Sequence, residues 1–152
     1  MEILNNSEFY DKIEITIAGN GELFNSYKKR FDQLNIDVIF LKWIEITEYK
    51  RYMNNCDIYI HASDFEPFGI PPLDALYRNK VIIVSKGVMS CIGFKPNNGL
   101  LFFENANELA NHIKSLVLNK HDIYLFSANN YSILTEKYPV DIINRTLQKI
   151  LF

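Results

Sequence analysis

The chain alternates between two kinds of apolar pattern, and this alternation limits its fold more than any other feature. Short runs rich in β-branched residues predict strands over 13–18, 37–41, 57–62, 81–84 and 99–103. The intervening segments place apolar residues at helical spacing, as at Leu23, Tyr27, Phe31 and Leu34. Strands that alternate with helices favour a parallel sheet with right-handed crossovers. The strands are nearly apolar throughout, which is typical of a sheet covered on both faces.

We therefore predict an α/β fold, with a Rossmann-like, open, mostly parallel sheet and helices on both faces. Thr47 is a candidate N-cap for a helix over 47–54, and prolines in the first turn suit a helix over 70–77. Asn105, with Glu108 three residues later, predicts the start of a helix that runs to about 118. Two more helices are predicted, one over 122–137 and one from Pro139 onwards.

Length and charge narrow the function classes. The 152 residues fit one ordinary domain, and a net charge of −2 argues against the basic surface of a nucleic-acid-binding protein. The first residues lack the pattern of a signal peptide, and no apolar run reaches the roughly 18 residues of a membrane span. Cys56 and Cys91 lie outside any ligand-spaced motif, so we expect free thiols and a cytoplasmic protein.

One set of loops carries nearly all the chemistry-bearing residues. The loops that follow predicted strands, at 19–22, 42–45, 63–69 and 85–93, are rich in glycines, carboxylates and cations. The loops that precede strands are short and carry few such groups. Ligands of open parallel sheets bind at the carboxyl ends of the strands. We therefore predict a binding rim at that edge.

The first loop of this rim contains Gly19-Asn20-Gly21 after a predicted strand. Phe24 stands where a dinucleotide fingerprint would have its third glycine, so that motif is incomplete. A tight turn with positive φ is the favoured interpretation.

The segment from Glu66 to Leu76 is the most informative. Gly69 allows the backbone to approach a ligand closely, and the helix predicted to start at Ile70 presents free N–H groups that suit a phosphate. Glu66 precedes this helix and Asp74 lies about one turn inside it. The two carboxylates can accept hydrogen bonds from hydroxyl groups, and the N–H groups of the helix start can donate to a diphosphate. This combination fits a nucleotide sugar. The structural alternative, which stays open, is that Glu66 caps the helix and Asp74 complements its dipole.

The same segment resembles a known family. Glu66 and Asp74 are separated by seven residues, with Phe68-Gly69-Ile70-Pro71 between them and Ala75 after the second acid. This resembles the Glu-x7-Glu motif of retaining GT-B glycosyltransferases of group 1, also called family 4. The stretch 56–63, the turn at 17–22 and the segments around 38–41, 99–102 and 105–118 resemble further parts of its donor-binding, C-terminal domain. The likeness runs from about residue 10 to the end.

The resemblance implies a role for each residue. Glu66, the catalytic candidate, contacts hydroxyls of the transferred sugar, and Asp74 holds the ribose. Backbone N–H groups of Phe68, Gly69 and Ile70 meet the sugar and the diphosphate. Further donor-binding candidates are Gly19, Ser63 and Lys86, together with Lys42, Trp43 and Ile44, whose loop faces the base largely through its backbone. For Lys86 the alternative is an exposed loop lysine, and His61 is either a ligand contact or a structural histidine. No metal or cofactor is expected, and the donor is a UDP- or GDP-sugar.

The chain departs from the family pattern in three places. Asp74 replaces a Glu, and Lys42 stands where the family usually has Gly. The family's first strand, with its Gly-Arg and Lys cations, and its acceptor domain have no counterpart, so 1–152 resembles an N-terminally truncated donor domain. The missing strand would lie between the strands at 13–18 and 57–62. Either the gap closes by rearrangement, or another chain fills it, or the chain is only marginally stable.

These features predict hexose transfer from a nucleotide sugar to an acceptor hydroxyl with retention, this chain being the donor-binding half. Alone it is expected to bind a nucleoside diphosphate weakly and to transfer nothing. The complete enzyme would associate peripherally with a membrane. The alternative is a non-catalytic remnant or subunit that binds nucleotide sugar or a partner chain. A response-regulator domain is disfavoured, because Ala18-Gly19 offers no acidic cluster at the first strand's end.

Overall fold

The computed structural model describes residues 12–34, 36–97 and 99–139; the helix predicted from Pro139 onwards falls almost wholly outside them. Every pairing between two described strands is parallel, so the α/β class with open parallel sheets is confirmed. In chain order the elements are β1 (Glu14–Ala18), α1 (Phe24–Phe31), β2 (Asp37–Leu41), α2 (Ile46–Asn55), β3 (Ile58–His61), α3 (Ile70–Tyr77), β4 (Val81–Ser85), α4 (Lys86–Ile92), β5 (Leu100–Phe103), α5 (Ala106–Leu118), α6 (Lys120–Ser127) and α7 (Asn130–Lys137).

The described residues form two compact units. The first unit contains β1, β2, α1, α2 and α5, and its two strands pair with Ile15 opposite Val38. Exposed and half-buried residues alternate along β1, so one face of this strand is only half-buried and the other is exposed, contrary to the prediction of strands covered on both sides. The reason lies in β1 itself, where polar Glu14 and Thr16 alternate with apolar residues. Phe40 of β2 makes edge-to-face contacts with two aromatic rings of α1.

The second unit contains a three-stranded sheet in the order β3-β4-β5. β4 is its central strand, and Val81, Ile82, Ile83 and Val84 are completely buried. Ala75 and Leu76 of α3 are completely buried too, as is Val88 of α4. Among the described strands, β1 pairs only with β2 and β3 only with β4. The additional strand expected from the resemblance stays a prediction.

The capping prediction for α5 is confirmed. The Asn105 side-chain oxygen accepts hydrogen bonds from the N–H groups of Asn107 and Glu108, each at 3.0 Å. The Glu108 carboxylate in turn accepts from the Asn105 amide at 2.9 Å. These contacts satisfy N–H groups that a helix start leaves without intrahelical partners.

Three helix predictions were wrong in detail. The helix predicted over 122–137 is two helices, α6 and α7, because Asn130 turns inward to bind backbone carbonyls. The segment 86–92 was interpreted as loop but is α4, whose buried Val88 and Ile92 lie four residues apart. The helix α2 begins at Ile46, so Thr47 lies inside it rather than at its N-cap. None of the helices described here has the length and apolar character needed to cross a bilayer.

Candidate functional site

The loop 63–69, which joins β3 to α3, is fixed by contacts with the start of α4. The Ser63 hydroxyl donates to the Phe65 carbonyl at 2.6 Å, while the Ser63 carbonyl accepts from the Ser85 hydroxyl. A Cβ added at Gly87 would overlap the Asp64 carbonyl oxygen. Backbone therefore packs on backbone here, so Ser63 acts in this structure as a loop-ordering residue.

Gly69 ends this loop in a conformation that favours glycine. Its φ is 68°, in the left-handed region, and its backbone is buried. A Cβ at this position would overlap the Cγ2 methyl of Ile92 in α4. The sequence analysis predicted that the Gly69 backbone approaches a ligand closely. In this structure the space beside Gly69 is filled by the Ile92 side chain.

The Glu66 carboxylate is held by three donors. Its Oε1 accepts from the N–H groups of Gly69 at 3.0 Å and Phe68 at 3.2 Å. Its Oε2 lies 3.1 Å from Nε2 of His61, and the Glu66 side chain is 17% exposed. The Gly69 N–H and then the Phe68 N–H lower the pKa of Glu66; desolvation opposes them less strongly, and each contribution of His61, which also lowers the pKa, is smaller still. Glu66 therefore carries its negative charge at neutral pH.

The start of α3 offers fewer free N–H groups than the sequence pattern predicted. Those of Phe68 and Gly69 already donate to Glu66, and Pro71 and Pro72 have none. The Ile70 N–H makes no hydrogen bond with any residue described here, and the Ile70 side chain is 68% exposed. A single N–H is therefore left at the positive end of this helix for an incoming anion.

Asp74 points along the helix to Arg78 rather than to the first turn. Both of its carboxylate oxygens lie 3.1 Å from Nε of Arg78, and the two side chains are 24% and 21% exposed. The spacing of four residues could have revealed this pair in the sequence, because side chains at i and i+4 meet on one helix face. Glu66 thus precedes α3 and Asp74 lies one turn inside it, but Asp74 is turned towards Arg78 and paired with that cation. The prediction that both acids face the first turn of the helix is wrong for Asp74.

Lys86, the proposed phosphate partner, is the first residue of α4. It lines a groove of about 390 Å³ whose other walls are mainly apolar, formed by Met89, Ser90, Gly93, Phe94, Pro96 and Phe102. None of the other predicted donor-binding residues lines this groove.

Four of the predicted residues belong to the first unit. The Gly19 N–H donates to the Leu41 carbonyl at 2.9 Å, which joins the ends of β1 and β2. Lys42 follows β2, and its ammonium lies 5.7 Å from the centre of the Phe24 ring. Trp43 is 82% exposed, whereas Ile44 is half-buried.

The turn after β1 does not have the predicted conformation. The glycines with positive φ among the described residues are Gly69 and Gly93, so Gly19 and Gly21 do not need the left-handed region. An added Cβ would meet no atom within 4 Å at either position.

The metal and thiol predictions concern His, Cys, Asp and Glu side chains. Over 12–34, 36–97 and 99–139, no three His, Cys, Asp or Glu side chains are placed to hold a metal ion. Cys56 and Cys91 are free thiols.

The sequence of the chain matches the profile of the family described as "Glycosyl transferases group 1" over residues 2–132. The chain belongs to this family. Two relatives illustrate the likeness. It is 28% identical to the alpha-monoglucosyldiacylglycerol synthase of Streptococcus pneumoniae over 155 aligned residues, covering 93% of this chain and 35% of that protein. It is 27% identical to an uncharacterised glycosyltransferase of Methanocaldococcus jannaschii over 101 residues, covering 64% of this chain and 26% of that protein. The chain thus spans about a quarter to a third of these relatives.

Solved structures share the fold of this group 1 chain. The catalytic domain of cholesterol-alpha-glucosyltransferase from Helicobacter pylori superimposes with a TM-score of 0.74 at 18% identity, over 88% of this chain and 85% of that one. The Anabaena protein HepE, in complex with UDP-glucose, gives a TM-score of 0.72 at 20% identity, over 99% of this chain and 46% of that one. Its complex with UDP gives 0.73 at 21% identity, over 92% and 41%.

Proposed function

We propose that this chain binds a nucleoside-diphosphate sugar and takes part in the transfer of its hexose to an acceptor hydroxyl, with retention at the anomeric carbon. The observation that carries the proposal is the Glu66 carboxylate, fixed beside the start of α3 by two backbone N–H groups and a histidine. A carboxylate that is already oriented loses little freedom when a sugar hydroxyl reaches it.

The hydrogen-bond capacity of Glu66 supports this role. An ionised carboxylate offers about four lone-pair positions. The Phe68 and Gly69 N–H groups take both positions on Oε1, and His61 takes one on Oε2. One position on Oε2 then remains, which suits a single hydroxyl of the transferred sugar.

The start of α3 is proposed to receive the diphosphate. The Ile70 N–H, at the positive end of the helix, donates to one phosphate oxygen, and Lys86 supplies a cation. Stabilising the charge that develops on the departing diphosphate would be the main catalytic contribution. Pro71 and Pro72 have no N–H groups to donate. Binding of the diphosphate should therefore depend more strongly on cationic side chains than it would at a helix start with three free N–H groups.

Asp74 is proposed to accept hydrogen bonds from the ribose hydroxyls. Its two oxygens share one Arg78 Nε–H, so lone-pair positions remain for a ligand. The nucleotide contacts of Gly19, Lys42, Trp43 and Ile44 stay predictions from the family resemblance.

The names of the similar proteins guide the choice of substrates. HepE was solved with UDP and with UDP-glucose, and the names of the pneumococcal and Helicobacter proteins both specify alpha-glucosyl transfer to or on a lipid. We therefore propose UDP-glucose as the first donor to test, with GDP-sugars second. The proposal extends to metal-independent binding, to an acceptor-binding part outside these 152 residues or on a partner chain, to peripheral membrane association, and to a cytoplasmic location.

Isothermal titration with UDP-glucose, UDP and GDP tests the proposal. Glu66→Gln should raise the Kd for UDP-glucose about tenfold, because a charged hydrogen bond is lost, and leave the Kd for UDP nearly unchanged. Asp74→Asn should weaken both ligands. Glu136→Gln is the matched control, since Glu136 is an exposed acid of α7. Unchanged binding in both site variants would remove the assignment.

Two further measurements test whether binding needs a metal ion and whether the isolated chain transfers a sugar. Titrations with Mg²⁺ and with EDTA should give the same Kd if no metal takes part. A radiolabelled transfer assay with this chain and a lipid acceptor should give no product, because the proposal assigns donor binding alone to it. Transfer by the isolated chain would contradict that division. Donor binding that persists without transfer when acceptor-domain chains are added would favour the non-catalytic subunit.

A further inference from the structure

Two residues of β3 extend the Glu66 contacts into a chain of hydrogen bonds. The Tyr59 hydroxyl lies 2.8 Å from Nδ1 of His61, and Nε2 of His61 lies 3.1 Å from Oε2 of Glu66. Tyr59 and His61 are two residues apart on a strand, so their side chains leave the same face. The strand is held in register against β4, with His61 opposite Val84. The sheet therefore fixes where the imidazole stands.

The chemistry of the three groups sets the proton positions. A carboxylate only accepts hydrogen bonds, so the imidazole must carry its proton on Nε2 to bind Glu66. In the neutral ring Nδ1 is then an acceptor, and the Tyr59 hydroxyl is the donor to it. Tyr59 thus stabilises the tautomer that donates to Glu66. Both hydrogen bonds of this series are therefore donated in the direction of the Glu66 carboxylate.

We propose that Tyr59 and His61 are positioning residues for Glu66, which hold its Oε2 in the orientation that accepts the sugar hydroxyl. The inference rests on the proposed donor binding and adds two residues to it. Backbone N–H groups hold Oε1, but combined changes of the Glu66 side-chain torsions can still swing Oε2 about that anchored oxygen. The His61 N–H restrains Oε2 directly. The His61 side chain is 19% exposed, so water competes only partly for this contact.

A positioning role and a merely structural role differ in which ligand is affected. Glu66 is proposed to touch the sugar and not the nucleotide. Loss of the orientation of Glu66 should therefore weaken the binding of UDP-glucose and leave the binding of UDP unchanged. A damaged fold should weaken the binding of both ligands. The ratio of the two Kd values is the decisive quantity.

The test is calorimetry with both ligands on the wild type and four variants. His61→Leu should raise the Kd for UDP-glucose about five- to tenfold and change that for UDP less than twofold. His61→Gln, whose amide places an N–H close to the position of Nε2, should restore binding to within about threefold of wild type. Tyr59→Phe removes one hydroxyl and should raise the Kd for UDP-glucose about two- to threefold, with no change in the Kd for UDP. Glu66→Gln is the reference.

The outcomes separate the two proposals. If Glu66→Gln loses UDP-glucose selectively while His61→Leu and Tyr59→Phe behave as wild type, the positioning inference is overturned and donor binding stands. If Glu66→Gln has no selective effect, the proposed function itself is contradicted. Should His61→Leu fail to fold, the Tyr59→Phe and His61→Gln titrations still decide. Nitrogen-15 spectra of labelled histidine should show the Nε2–H tautomer for His61, and the Nδ1–H tautomer would refute the chain of donors.

Discussion

Replacing Gly69 with alanine tests the architecture beneath the candidate site. Gly69 has a φ of 68°, and placing a residue with a Cβ in this region costs about 1–2 kcal/mol. The same Cβ overlaps the Ile92 Cγ2 methyl, and overpacking a core typically costs about 1–3 kcal/mol. Gly69→Ala should therefore lower the free energy of unfolding by about 2–5 kcal/mol, a large part of the roughly 5–15 kcal/mol of an ordinary domain.

The two contributions can be separated by a double-mutant cycle. Ile92→Ala removes the Cγ2 methyl, so in the double variant only the backbone strain of Gly69→Ala remains. The coupling energy should be favourable by about 1–3 kcal/mol. Gly21→Ala is the matched control, because an added Cβ there meets no atom within 4 Å and its φ is not positive. Its free energy of unfolding should stay within about 1 kcal/mol of wild type.

Urea unfolding followed by far-ultraviolet circular dichroism measures all four variants with the wild type. Additive effects of Gly69→Ala and Ile92→Ala would show that the overlap is relieved elsewhere. A Gly69→Ala variant as stable as Gly21→Ala would refute the reasoning altogether.

Two further predictions follow from buried groups. Asn130 is completely buried and donates to the Lys80 and Gly99 carbonyls at 2.7 and 3.1 Å, so Asn130→Ala should lower the free energy of unfolding by about 2–4 kcal/mol in urea titration. Asn129→Ala is the control, since the Asn129 side chain makes no capping hydrogen bond, and an equal loss in both variants would contradict the assignment. Burial raises the pKa of the Cys56 thiol above its usual 9.0, against a smaller opposing effect of Lys80. Its labelling by a disulfide reagent at pH 7.5 should therefore be slower than that of a model thiol and should accelerate above pH 9; equal rates at neutral pH would contradict this.

Periodicity predicted the order and type of most elements because it depends on local pattern. The predicted bounds of the helix over 70–77 agree with α3, where prolines mark the start. It failed where tertiary contacts decide. The break between α6 and α7 arises from Asn130, which binds carbonyls 31 and 50 residues away in the chain. Helix α4 was missed because it is only seven residues long and begins at Ser85-Lys86-Gly87, a sequence typical of a loop.

For the candidate site, the sequence predicted where the two acids stand in the chain but not the contacts they make. Glu66 precedes α3 and Asp74 lies one turn inside it, as the pattern indicated, yet Asp74 is turned to Arg78 rather than to the start of the helix. It did not reveal that Glu66 consumes the N–H groups of Phe68 and Gly69, because that depends on the rotamer of a side chain. The pairing of Asp74 with Arg78 was visible as an i,i+4 spacing, but nothing local decides whether such a pair forms.

The loop 63–69 and the helix α4 packed against it contain positions with no room for a side chain. At Gly69, which ends the loop, and at Gly87 of α4, that space is already filled by Ile92 and by the Asp64 carbonyl. Phe65 and Phe68, by contrast, are 78% and 75% exposed. Substitutions of Phe65 and Phe68 by residues other than proline would therefore reshape the surface around the Glu66 carboxylate and keep the Phe68 N–H that holds it.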